Sequence, residues 1–263
     1  MITSSQNPKI KWVRSLQAQR RTRQKEAAFV VEGVRLVEEA LASGWPARLV
    51  LYTPDLPPRG QAAVDAYASQ GTAIVAVQEN VMRSASDTET PQGVLAVLTH
   101  KELLVPSPLD LVLVVDGVRD PGNLGTLLRS ASAAGAQLVL LPPGSTDPYA
   151  PKVMRAGMGA HFRIPVITCT WQQIESHLGG LEIYLAAAEG GLTYYQTNFK
   201  IPMALIIGSE AEGVSENAQE LATTSVNIPM PGGGESLNAA IAASVLLFEV
   251  VRQRAQSGTQ NEM

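Results

Sequence analysis

The sequence predicts an α/β protein with a small amino-terminal α/β domain followed by a larger α/β domain built on a mainly parallel sheet. Three observations point there. Short apolar runs alternate with stretches of helical periodicity, the pattern of strand–helix–strand units. Two of those runs, Leu111–Val115 (LVLVV) and Met203–Ile207 (MALII), are apolar without a break, as in a parallel strand covered on both faces. His100 to Asp110 (HKELLVPSPLD) combines prolines with charges and reads as a hinge, which puts the boundary near residue 103.

In order along the chain, residues 3–25 read as a cap and a basic helix, with Trp12 and Leu16 on one side. Phe29 to Val31 is a short strand, Glu32-Gly33 a turn, and Val34 to Ala42 a helix with Val34, Val37 and Leu41 on its apolar face. Strands follow at Arg48–Tyr52, Ala73–Val77 and Gly93–Leu98, with helices at Gln61–Ser69 and Glu79–Ser84; the Pro/Gly-rich segment from Thr53 to Gly60 closes the Arg48–Tyr52 strand. In the second domain Leu111–Val115 leads into a loop, Asp116 to Gly125, and a helix from about Thr126 to Ala134. Leu138–Leu141 is a strand, and Thr146 to Met158 holds a loop and a short helix. Further strands are expected at Phe162–Val166, Ile183–Ala187, Met203–Ile207 and Ser225–Ile228, with a helix at Trp171–Leu178. The last stretch, Ile228 to Arg254, passes through a glycine-rich turn (Pro231 to Gly234) and a polar trio (Glu235, Ser236, Asn238) into a long helix. With Ala239, Ile241, Val245, Leu246, Leu247, Phe248, Val250 and Val251, that helix is apolar nearly all round and is expected to be buried, capped by Ser236 or Glu235.

Composition narrows the class. Over 263 residues, 45% hydrophobic and 17% charged content indicate a soluble globular chain, and no apolar run approaches the roughly 18 residues of a membrane span. The start, MITSSQNPKIKW, lacks a secretory pattern, and a single cysteine, Cys169, fits a reducing, cytoplasmic setting without an internal disulfide. Three widely spaced histidines make a metal site of ordinary ligand spacing unexpected. The net charge is −4, yet Lys9, Lys11, Arg14, Arg20, Arg21, Arg23 and Lys25 all precede the first acidic residue, Glu26. That is the charge footprint of a local phosphate contact, and also of a solvated basic arm.

Three loops are rich in glycine and short polar residues: DPGNLGTLLRSA (120–131), GSEAEG (208–213) and PGGGESLN (231–238). Each follows an apolar strand, so in a parallel sheet all three meet at the carboxyl edge, where such sheets bind ligands. Asn123 offers a two-way amide, and Arg129 a rigid fork suited to phosphate. The spacing matches neither the dinucleotide glycine fingerprint nor the P-loop. Singly, Arg129 reads equally as a surface arginine, Glu210 as a loop carboxylate, and Ser236 or Asn238 as a helix cap. Only the set suggests a site.

These segments resemble the three motifs of the SpoU (TrmH-type) branch of the SPOUT RNA methyltransferases. The first has N-x-G-x-x-x-R-x-A at Asn123, Gly125, Arg129 and Ala131; the second has G-x-E-x-x-G at Gly208, Glu210 and Gly213. The third has I-P-M at Ile228 to Met230 and E-S-L-N at Glu235 to Asn238. FVVEG-x-R-L-V-E-E-A (29–40) and TPQGVLAV (90–97) resemble the substrate-binding domain that such enzymes often carry. The resemblance implies a trefoil knot made by the carboxyl-terminal helix, S-adenosyl-L-methionine as cofactor, and a homodimer. It implies Gly208, Gly213, Ile228, Met230 and Leu237 lining the cofactor pocket, and Asn123, Arg129, Glu210, Ser236 and Asn238 around the reacting ribose. It further implies an RNA-binding domain over 1–103, a catalytic domain over 104–263, and methyl transfer to a ribose 2′-hydroxyl, of 23S-type ribosomal RNA in preference to transfer RNA. A guanidinium holds its proton at ordinary pH, so Arg129 is expected to bind an RNA phosphate or the hydroxyl. Two departures, Asp120-Pro121 in the first motif and the glycine-rich turn with Ala239-Ala240 in the third, leave every polar motif residue in place. The competing readings are a non-catalytic RNA-binding protein on the same fold and a monomeric nucleotide enzyme on an open, unknotted sheet.

Overall fold

A computed structural model describes residues 1–209 and 213–258. The chain divides into two compact units, Met1–Glu102 with Asp147–Arg163, and Leu103–Thr146 with Ile164–Met263.

The first unit opens with α1 (Pro8–Ala18), where the Asn7 side chain accepts from the Lys9 N–H and Pro8 occupies the first turn, needing no donor. Its buried stripe is Ile10, Val13 and Leu16. Gln19 takes extended angles (φ −124°, ψ 116°) and breaks the basic run, so the single helix expected over 3–25 is two, the second being α2 (Arg20–Glu26). There follow β1 (Ala28–Glu32), α3 (Val34–Ala42), β2 (Ala47–Tyr52), α4 (Pro58–Ser69), β3 (Ala73–Ala76), α5 (Glu79–Ala85) and β4 (Val94–Thr99). The sheet order is β1-β4-β2-β3, with β4 antiparallel to both neighbours and β2 parallel to β3. Helix α4 begins before Gln61 because Pro57 and Pro58 serve as its cap and first residue.

The second unit starts with β5 (Leu111–Val115), α6 (Pro121–Ala133) and β6 (Leu138–Leu141). The next segment, with α7 (Pro151–Gly157) and a 3-10 turn over Ala160–Phe162, belongs to the first unit, where an aromatic cluster holds it: Phe29 meets Trp45 edge-on at 5.5 Å, and Trp45 meets Phe162 at 5.4 Å. The second unit resumes with β7 (Val166–Thr168), α8 (Trp171–Leu178), β8 (Glu182–Ala187), β9 (Leu192–Thr193), β10 (Met203–Ile207), α9 (Glu216–Leu221), β11 (Thr224–Asn227) and α10 (Ala239–Gly258). Its sheet runs β7-β6-β5-β10-β8-β11-β9, with parallel pairing throughout the described strands. Strands β5 and β10 are buried at every position. No helix of the described residues is long and apolar enough to cross a membrane.

Three further expectations are corrected. The strand placed at Phe162–Val166 starts only after Pro165, whose carbonyl accepts from Val139 but which has no N–H to donate. The loop placed at Asp116–Gly125 is already helical from Pro121, because Asp120 accepts from the Asn123 N–H and proline fits the first helical position. Helix α10 is not buried all round: Ala239, Ala243, Leu246, Leu247 and Val250 face inward, while Ile241 (53%), Phe248 (50%) and Val251 (36%) form an exposed stripe.

Candidate active site at the carboxyl edge of the second sheet

Because β5, β10 and β11 run in one direction, the segments that follow them emerge at one edge of the sheet. Asp116, at the end of β5, is buried, and its Oδ2 accepts from the Ser215 N–H at 2.6 Å. This bond ties the loop after β10 to the neighbouring strand. Sequence reasoning passed over Asp116, although a carboxylate directly after LVLVV was a visible signal of a buried, paired group. Ser209 and Gly213 exchange backbone hydrogen bonds at 2.8 and 3.0 Å and pinch the loop at its base. Gly208 fits beneath that pinch because it has no Cβ; one placed there would run into the Gly213 carbonyl and the Val214 side chain.

The third loop enters α10 through Asn238, not Ser236 or Glu235. Asn238 Oδ1 accepts from the Ala240 N–H (3.0 Å) and the Ile241 N–H (3.2 Å), and its carbonyl accepts from the Ala242 N–H. Its Nδ2 donates to Asn123 Oδ1 at 3.1 Å, joining two residues 115 positions apart. A second bond, Ser130 to Ser244 at 2.7 Å, continues the seam between α6 and α10. At its far end, α10 is held by Arg254, which donates to Asp110 Oδ2 (2.6 Å) and to the Phe199 and Ile201 carbonyls. Buried Gln253 accepts from the Phe199 N–H and donates to the Thr197 carbonyl. The helix therefore runs from the carboxyl edge of the sheet back to the segments that precede β5 and β10.

Around its first turn lies a cavity of about 420 Å³. Gly208, Gly213, Ile228, Met230, Ser236 and Leu237 all line it, and Ala186 to Ala188, at the carboxyl end of β8, close another wall. The alanines carried no recognisable signal in the sequence. A lining mostly of alanine, glycine and aliphatic residues, with Ser209, Gln219 and Ser236 among them, suits a ligand with a flat apolar part and a polar rim. Arg129 lies on α6, exposed, with no hydrogen bond or ion pair to a described residue. Ser236 is exposed at the cavity wall. Glu210 lies outside the described residues.

Of the six basic residues assigned to RNA, Lys9, Lys11, Arg14, Arg20 and Arg21 are exposed. Arg23 is corrected. It is 8% exposed, its Nη2 and Nε donate to Asp147 at 2.6 and 2.8 Å, and Nη1 donates to the Leu16 and Gln17 carbonyls. A guanidinium held in this way fixes the α1–α2 corner and is not available to a phosphate.

Comparison with known proteins agrees with this geometry. Residues 110–248 match the SpoU rRNA methylase family. The chain belongs to that family. Residues 7–96 match the MRM3-like substrate binding domain. The chain is 34% identical to an uncharacterized tRNA/rRNA methyltransferase of Synechocystis, over 98% of this chain and 96% of that one. It is 32% identical to the 23S rRNA guanosine 2′-O-methyltransferase RlmP of Bacillus subtilis, over 95% and 98% of the two chains. The crystal structure of an AdoMet-bound rRNA methyltransferase from Sinorhizobium meliloti superposes with a TM-score of 0.86 at 30% identity, covering 95% of this chain and 97% of that one.

Proposed function

We propose that this chain transfers a methyl group from S-adenosyl-L-methionine to a ribose 2′-hydroxyl of large-subunit ribosomal RNA. One observation carries the reading: the cavity lined by Gly208, Gly213, Ile228, Met230 and Leu237 adjoins, through the next residue, the amide pair of Asn238 and Asn123. The names of the Bacillus and Sinorhizobium relatives support the substrate and the cofactor.

The cavity suits the cofactor in size and in its mainly apolar lining. Bound there, S-adenosyl-L-methionine supplies a sulfonium-activated methyl group for in-line displacement. The chain's part is to hold a hydroxyl oxygen in line, so positioning contributes much of the rate. Arg129 keeps its proton and therefore serves as a clamp on an RNA phosphate or on the hydroxyl, with the phosphate assisting deprotonation. The Asn123–Asn238 bond fixes α6, and with it Arg129, against the third loop. Ser236 shapes the wall nearest the ribose, and Glu210 completes the set. The exposed basic residues from Lys9 to Arg21 engage the RNA backbone, and the amino-terminal unit, bounded near residue 103, selects the RNA.

Two structural features belong to the same reading. Helix α10 completes a trefoil knot, which its course from the carboxyl edge back to Asp110 and Ile201 supports. The enzyme works as a homodimer, which the stripe of Ile241, Phe248 and Val251 supports, since so much exposed apolar surface on one helix favours a covering partner. A cytoplasmic setting, expected from the single cysteine, completes it.

The test is transfer of a labelled methyl group from S-adenosyl-L-methionine to ribosomal RNA isolated from cells lacking this gene. Label should appear on a ribose. Arg129→Lys should lower turnover by about 100-fold while cofactor binding is unchanged, because a point charge cannot replace the planar fork. Near-normal turnover in that variant would remove the clamp role.

A further inference from the structure

We propose that the first unit carries a pocket for one nucleotide from a single-stranded part of the RNA, with its phosphate gripped by Arg35 and Arg155. The proposal rests on the RNA methyltransferase reading and adds a site to it.

Two segments far apart in sequence, neither used by the catalytic edge, converge here. Glu32, Gly33 and Arg35 come from 29–40 and Thr90 and Gln92 from 90–97, and together with Arg155 they line a cavity of about 280 Å³. Gly33 sits at φ 92°, and a Cβ there would press on the Gln92 amide oxygen at 2.9 Å. That opening lets Gln92 Oε1 accept from the Val34 N–H at 3.1 Å, which fixes Gln92 across the pocket and leaves its NH₂ group to donate.

The polar groups of the lining are unbalanced in favour of donors. Its one carboxylate, Glu32, already accepts from the Ser86 hydroxyl, the Thr88 hydroxyl (2.6 Å) and the Asp87 N–H (3.1 Å), so the wall itself saturates it. Arg155 is steadied by Asp87 at 2.8 Å. Arg35 is exposed and makes no hydrogen bond or ion pair with a described residue, and it stands in the first turn of α3, where a cation is disfavoured and no acidic residue offsets it. An arginine held unpaired in an unfavourable place, beside a second arginine and the exposed Thr90 hydroxyl, calls for an anionic ligand rich in acceptors. Phosphate oxygens meet that need. The volume lies just below the range of about 300–1,000 Å³ typical of drug-sized ligands, which suits one nucleotide and excludes a folded segment. A base already paired and stacked in a helix cannot enter such a recess, so the nucleotide must be unpaired.

Arg35→Gln tests this, because an exposed, unpaired side chain can be changed without disturbing the fold. Binding is read by fluorescence anisotropy with a fluorescein-labelled single-stranded RNA of mixed sequence, across a salt series, and turnover with unmethylated ribosomal RNA. The expected result is about tenfold weaker single-strand binding, with the slope of log K against log salt reduced by about 0.7, the value for one lost phosphate contact on a single strand. KM for ribosomal RNA should rise in step, while kcat, cofactor affinity and Tm stay at wild-type values. Arg35→Lys should recover the salt slope, since it restores the charge. Unchanged affinity and slope in Arg35→Gln, alongside a wild-type enzyme that methylates RNA, would overturn the pocket and leave the function standing. A wild-type chain that binds no RNA would overturn both.

Discussion

Asn238 serves two structures with one side chain. Its oxygen caps α10 by accepting from Ala240 and Ile241, and its amide nitrogen donates to Asn123. Two substitutions separate these duties. Asn238→Ala should cost roughly 1 kcal/mol of stability through the lost cap, read by thermal unfolding, and should also lower turnover. Asn238→Asp keeps oxygens for the cap and adds charge of the favourable sign, so Tm should hold. Turnover should still fall by about tenfold, because a carboxylate cannot donate to Asn123 Oδ1 and Asn123 must turn its amide over, which disturbs the tie between α6 and the third loop. Arg23 makes the opposite point about reading a sequence. In the chain it stands among seven cations and looks like one more phosphate contact. In the fold it faces Asp147, 124 positions away, with the two side chains only 8% and 13% exposed. Arg23→Leu strands a buried carboxylate and should destabilise the protein by about 3–5 kcal/mol in urea unfolding, with Arg23→Leu/Asp147→Leu recovering much of the loss.

Among the elements, the unbroken apolar strands β5 and β10 were legible because burial on both faces leaves no polar position to confuse the pattern. The start of α6 was legible in principle, since Asp120-Pro121 is a cap followed by a first-turn proline, but the glycines after it suggest a loop more loudly. Helix α10 shows a limit of composition. An all-apolar helix is buried, but the chain alone does not say by what, and here one face is left open at Ile241, Phe248 and Val251. If a second copy covers that face, Phe248→Glu should convert a dimer to a monomer in sedimentation, because a charge would be forced into an apolar interface. A wild-type chain that sediments as a monomer would contradict the homodimer.

At the scale of the whole molecule, the segment Asp147–Arg163 lies inside the stretch matched by the methylase family, yet it packs with the first unit. Periodicity could not reveal this, since the contacts that place it, Phe29 with Tyr149 at 4.8 Å and Trp45 with Phe162, join residues more than a hundred positions apart. His161 in that segment is fully buried, with Nε2 against the Pro148 carbonyl at 2.7 Å. Burial drives its pKa down from the ordinary 6.5 to about 4. The folded protein therefore holds it neutral while the unfolded chain takes up a proton below about pH 6.5, so stability is full above that pH and falls as pH drops toward 4. In His161→Gln, the dependence of unfolding free energy on pH in that window should become shallower, by up to about 1.4 kcal/mol per pH unit. An identical slope in the two proteins would show that His161 is not responsible.

The central claim is that widely separated loops assemble one site for methylating a ribose. It is tested most directly by mapping 2′-O-methylation across total RNA from cells with the gene, without it, and with Arg129→Ala in its place. We expect one ribose methyl in large-subunit ribosomal RNA to vanish on deletion, to return with the wild-type gene and to stay absent with Arg129→Ala. A methylation map that is the same in all three strains would contradict the assignment.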